Sequence, residues 1–128
     1  MENSQLDNTM KREVITIENG IVSVPASAEI WMTQHQLADL FQCFVGKINA
    51  NVRAILKTRV LDERTVCRTY YYKNGNSVEQ YGLEMIIALA FRIKSRNAEV
   101  FRAYLMRKAL KPEIPESLKI SIGNPIWN

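Results

Sequence analysis

A small α+β domain is the fold class expected of this chain, on three grounds. Two β-rich segments are each broken by Asn-Gly, the dipeptide that suits tight hairpin turns. Two short amphipathic helix patterns follow one another across a break of three residues, 42–44. Two further helical segments then close the chain before the prolines Pro112 and Pro115. At 128 residues, one domain is expected, over 13–111, with tails at 1–12 and 112–128.

The first hairpin is expected from Val14–Glu18 and Ile21–Val24, turning at Asn19-Gly20, with Pro25 ending the second strand. A helix follows over 33–41. Thr33 is its candidate N-cap, Gln36 completes a capping box, and Met32 with Leu37 suits a hydrophobic staple. Leu37, Leu40 and Phe41 form the apolar stripe.

The next helix is expected over 45–57. Ile48, Val52, Ile55 and Leu56 fall on one side at 100° per residue. The opposite side carries Gly46, Lys47, Ala50, Arg53, Ala54 and Lys57, and Asn49 and Asn51 flank it. Residues 65–81 predict a second hairpin, with Asn74-Gly75 as a two-residue loop. In that register Lys73 pairs Asn76, Tyr71 faces Val78 and Arg68 faces Tyr81.

Residues 83–93 are apolar nearly all round, the pattern of a buried helix. The last helix is expected over 98–110, with Ala98, Phe101, Leu105 and Ala109 inward and Arg102, Arg107, Lys108 and Lys111 largely outward.

Charge is unevenly spread. Lys and Arg number 17 against 13 Asp and Glu, a net charge of +4. Residues 1–41 hold two positive and six negative charges. Residues 42–73 hold seven positive and two negative, and residues 92–111 seven positive and one negative. Solvated helix faces explain any one such run. Two runs that coincide with the helix–break–helix and with the last helices point toward nucleic acid. They should then converge on one surface.

Other classes fall away. No apolar run reaches the ~18 residues of a membrane span, no apolar signal core follows the polar start, and the cytoplasm is the expected compartment. Cys43 and Cys67 make neither a disulfide framework nor a zinc site, and are expected as small apolar residues. Tyr70, Tyr71 and Tyr72 have no cluster of arginine and histidine to support strand cleavage, and His35 is the only histidine. No phosphate-cradling glycine loop or nucleophile elbow is present. No catalytic residue, cofactor or metal is expected.

Helix, tight break, helix with a polar-basic outer face, then hairpin is the order of a winged helix–turn–helix. The first helix would prop the second, which enters the major groove. Gly46, Ala50 and Ala54 would allow close approach, Lys47, Arg53 and Lys57 would contact bases or phosphates, and Asn49 and Asn51 are candidate adenine readers. Thr33 and Gln34 join these candidate contacts. Lys73, Asn74 and Asn76 suit a wing tip. Arg59, Arg92 and Arg102 are candidate phosphate contacts, with an ion pair to Glu84 or Glu99 as the structural alternative for Arg92 and Arg102.

The run Trp31-Met32-Thr33-Gln34-His35-Gln36-Leu37-Ala38-Asp39-Leu40-Phe41 resembles the virulence protein RhuM family of bacterial DNA-binding proteins. So do Val60-Leu61-Asp62-Glu63 leading to Thr65-Val66-Cys67-Arg68, and Tyr81-Gly82-Leu83-Glu84-Met85-Ile86-Ile87. Phe91-Arg92-Ile93-Lys94-Ser95 and Phe101-Arg102 extend the resemblance, which spans about two-thirds of the chain. It is also generally similar to the N-terminal domains of phage antirepressors. Family members have Asp at Glu84, Val-Gly-Tyr at Leu89-Ala90-Phe91, Trp at Tyr104, and a longer C-terminal region.

The resemblance implies DNA binding. With no catalytic motif in the chain, the expected role is a non-enzymatic double-stranded DNA-binding protein, a transcriptional regulator or mobile-element accessory factor. The alternative is a protein-interaction module, antirepressor-like or antitoxin-like, acting through the last helix and a tail containing Trp127. A homodimer suits either reading.

Overall fold

A computed structural model describes residues 14–26 and 29–111. The expected tails, including Trp127, lie outside the described residues. Strands β1 (Thr16–Glu18) and β2 (Ile21–Ser23) form the first hairpin, with Glu18 opposite Ile21. Asn19 and Gly20 take φ of 53° and 75°, the two positive angles that a type I′ turn requires.

Strand β3 (Trp31–Thr33) leads directly into α1 (Gln34–Phe41). Sequence reading missed this strand, because three residues are too few to show alternation. The capping box is present: Thr33 Oγ1 accepts from the Gln36 N–H at 3.1 Å, and Gln36 Oε1 accepts from the Thr33 N–H at 2.8 Å. Gln42 ends α1 at φ 54°, a left-handed conformation usually left to glycine. Its side-chain Nε2 donates back to the Asp39 carbonyl at 2.6 Å.

Helix α2 (Val45–Thr58) follows. Its buried residues are Ile48, Val52 and Ile55, as the periodicity requires. Ala38 and Ile48, ten residues apart, are both buried where α1 packs on α2. The start of the expected second hairpin is instead one helical turn, α3 (Glu63–Val66), with Asp62 as its N-cap. Asp62 accepts the Arg64 N–H at 2.9 Å, a local bond that outcompetes an early strand.

Strands β4 (Cys67–Tyr71) and β5 (Ser77–Gly82) pair antiparallel, and β3 adds to the other edge of β5. Their register corrects the expected one by a residue. Tyr71 faces Ser77, Tyr70 faces Val78 and Arg68 faces Gln80. Tyr72 N–H donates to the Asn76 carbonyl at 2.8 Å, so Lys73-Asn74-Gly75 is a three-residue loop. Of Asn74 and Gly75 only Gly75 has a positive φ, 91°. Asn74 uses its side chain instead, accepting the Asn76 N–H at 2.9 Å. A one-residue slip sends every side chain to the other face of the sheet. Trp31, Arg68 and Gln80 therefore share the face away from Met32, Tyr81 and Cys67.

Helix α4 (Leu83–Ala90) is shorter than expected and not buried all round. Met85, Ile86, Leu89 and Ala90 are buried, whereas Leu83, Glu84 and Phe91 are exposed. Helix α5 (Arg96–Leu110) starts two residues early, where Ser95 Oγ accepts the Ala98 N–H at 3.0 Å. Ala98 and Phe101 are buried, Leu105 is half-buried, and Ala109, expected inward, is exposed. The helix runs past the core at its C-terminal end.

The core gathers Met32, Leu37, Phe41, Ile48, Met85, Leu89 and Phe101 from helices and sheet together. No described helix is long and apolar enough to cross a membrane.

Candidate nucleic-acid interface

Helix α2 presents its outer side to solvent. Gly46, Lys47, Ala50, Arg53 and Lys57 are exposed, and Ala54 is half-buried. No acidic residue lies between Gln42 and Leu61 to offset Lys47, Arg53, Lys57 and Arg59. Arg53 makes no ion pair or side-chain hydrogen bond among the described residues. Arg59 is exposed and ends the helix at φ 62°. A Cβ added at Gly46 would meet nothing within 4 Å, so the surface there is open.

The two flanking asparagines behave differently from the face between them. Asn49 Oδ1 accepts from Gln34 Nε2 at 3.3 Å, and the same Gln34 nitrogen donates to the Tyr81 hydroxyl at 3.0 Å. Asn51 Nδ2 donates to the Lys47 carbonyl at 2.9 Å, and its Oδ1 accepts from Arg92 Nε at 3.1 Å. Asn49 thus ties one edge of α2 to α1 and β5, and Asn51 ties the other to the segment after α4. Tyr81 is buried, which raises its phenol pKa, while the Gln34 bond acts in the opposite sense. Thr33 is buried and serves as the cap of α1.

Lys73, Asn74 and Asn76 stand exposed at the tip of the β4–β5 hairpin, as expected of the second loop. Arg102 does not pair with Glu84 or Glu99 among the described residues. Its Nη1 donates to the carbonyls of Ala90 and Ile93 at 2.6 and 3.0 Å. The Ala90 carbonyl is the last of α4, and a cation there satisfies an acceptor that has no partner within the helix. The two basic segments meet at Arg92 and Asn51. The rest of the second segment rides on α5, which packs against α1, α4 and β2.

His35 is exposed on α1. Tyr70 and Tyr72 stack edge to face at 5.3 Å, and Tyr71 is exposed. Cys43 and Cys67 are half-buried free thiols. Burial raises both, Cys67 to about 11 with help from Glu63 and Glu79. No group of three or more His, Cys, Asp or Glu side chains among the described residues is placed to hold a metal ion.

Sequence reading missed a cluster on the back of the sheet. The Arg68 guanidinium lies 4.4 Å from the Trp31 ring centroid, its Nε donates to Gln80 Oε1 at 2.8 Å, and Glu29 stands 3.8 Å from it. The corrected register is what brings these residues together, and only the pairing could have shown it.

Comparison with protein-family models, curated proteins and solved structures finds no match for this chain.

Proposed function

We propose that the protein binds double-stranded DNA without catalysing a reaction, with α2 in the major groove and the β4–β5 hairpin as a wing. The observation that carries this reading is the outer side of α2. Lys47, Arg53 and Lys57 are exposed there on a helix without acidic residues. Such a side attracts phosphate, and its small residues permit close approach to base edges.

The order of elements supports the same reading. α1 packs on α2 across a break at Gln42, and a hairpin follows at the edge of a sheet ordered β3-β5-β4. That order suits a winged helix–turn–helix reading, and the resemblance to the RhuM family points the same way. A role in transcription, or as an accessory factor of a mobile element, fits such a binder.

A gel-shift titration of the full chain at several salt concentrations tests the proposal. With about five phosphates contacted, log affinity falls against log salt with a slope of about −4 to −5. No shift on any duplex at low salt ends the reading.

Exposure of Met106 and Leu110 on α5 supports a second reading, an interaction module of antirepressor or antitoxin type. Sedimentation of the chain with and without duplex separates the two. Self-association that survives Lys47→Ala and Arg53→Ala, with no DNA bound by the unsubstituted chain, would favour it.

A further inference from the structure

Reading an adenine edge with an amide side chain takes both of its ends. The carbonyl accepts from the base N6 amine and the amino group donates to N7. Neither asparagine on α2 has both ends available. Asn51 uses its amino group on the Lys47 carbonyl and its oxygen on Arg92. Asn49 is half-buried, with its oxygen engaged by Gln34. Gln34 cannot substitute, because its own amino group holds Asn49 and Tyr81 together.

Turning either asparagine toward DNA would undo a tie between α2 and its neighbours. Arg92, Gln34 or the Lys47 carbonyl would lose a partner at the moment of binding. That loss opposes adenine contact at either edge.

The side between the two edges carries the opposite chemistry. Arg53 and Lys57, one turn apart, are exposed, and Arg53 has no intramolecular ion pair or side-chain hydrogen bond among the described residues. A guanidinium fork matches the two acceptors of guanine, O6 and N7, and meets a donor at the N6 amine of adenine. We infer that α2 selects guanine through Arg53 and does not read adenine. The inference rests on the DNA-binding reading above and sharpens its target to duplexes with guanine in the major groove contact.

The test uses duplexes enriched by the full chain from a random pool. Each is then remade with 7-deazaguanine, which lacks the N7 acceptor, or with 7-deazaadenine. The 7-deazaguanine duplex should bind about tenfold more weakly, in line with the loss of one bidentate contact. The 7-deazaadenine duplex should bind as the unmodified one does. Arg53→Ala, checked for folding by its thermal melt, should make the guanine and 7-deazaguanine duplexes equivalent.

Weakening by 7-deazaadenine overturns the inference. So does persistence of the guanine effect in Arg53→Ala, or indifference to both bases, and in each case DNA binding itself stands. Failure to enrich any duplex overturns the inference together with the reading it rests on.

Discussion

Arg92 Nε donates to Asn51 Oδ1 at 3.1 Å, joining residues 41 apart in the chain. The bond holds the segment after α4 against one edge of α2. The Gln34–Asn49 bond does the same at the other edge. Helix α2 is thus fixed in rotation by two polar ties as well as by its apolar stripe.

The Arg92–Asn51 tie should be measurable as a coupling. Asn51→Ala should cost about 1 kcal/mol in urea unfolding, the scale of a net intramolecular hydrogen bond. In a double-mutant cycle with Arg92→Ala the coupling should be at least about 0.5 kcal/mol. Strict additivity of the two substitutions would show that the pair does not form in solution.

Arg102 is expected to act on stability. It satisfies two carbonyls where α4 ends, and hydrogen bonds of charged groups contribute about 1.5–3 kcal/mol. Arg102→Met should lower the denaturation midpoint accordingly while leaving the salt slope of DNA binding unchanged. A lower slope at unchanged stability would identify Arg102 as a phosphate contact instead.

Gln42 sits at φ 54° with a side chain that glycine would not need. Left-handed backbone costs an ordinary L-residue about 1 kcal/mol or more. Gln42→Gly loses the bond to the Asp39 carbonyl but relieves that strain. A higher melting temperature is expected, and a lower one would mean that the side-chain bond outweighs the backbone.

The Cys67 thiol stands at about 11 against an ordinary value of 9.0. Between these values the folded protein holds a proton that the unfolded chain releases. Stability therefore falls as pH rises from 9 toward 11, and Cys67→Ala should flatten that slope. The smaller thiolate fraction at pH 9 predicts markedly slower alkylation than for the unfolded chain. Equal rates in native and urea-unfolded protein would contradict the shift.

Lys47 and Arg53 test the interface directly. Both are exposed on α2, so each change to alanine should alter stability by less than about 0.5 kcal/mol. Each should weaken duplex binding; Lys47→Ala should also reduce the salt slope by about one if Lys47 meets a phosphate, whereas Arg53→Ala should relax base preference. Unchanged affinity in both would move the interface away from α2.

The parts of the fold whose physics is local could be read along the chain. The Asn19-Gly20 turn, the Thr33–Gln36 capping box and the buried stripe Ile48, Val52 and Ile55 each follow from residues within a few positions of one another. The exposed cations opposite that stripe were legible for the same reason, since helical periodicity alone separates the two sides. The rest depends on contacts between distant elements. The short strand Trp31–Thr33 exists because β5 is there to pair with it, and β4 meets β5 one residue away from the register that the Asn74-Gly75 dipeptide suggests. Above all, the chain order shows Asn49 and Asn51 as polar residues on a helix flank. Whether they point to solvent or bond to the protein depends on Gln34 and Arg92, brought there by packing between elements that no local spacing reveals.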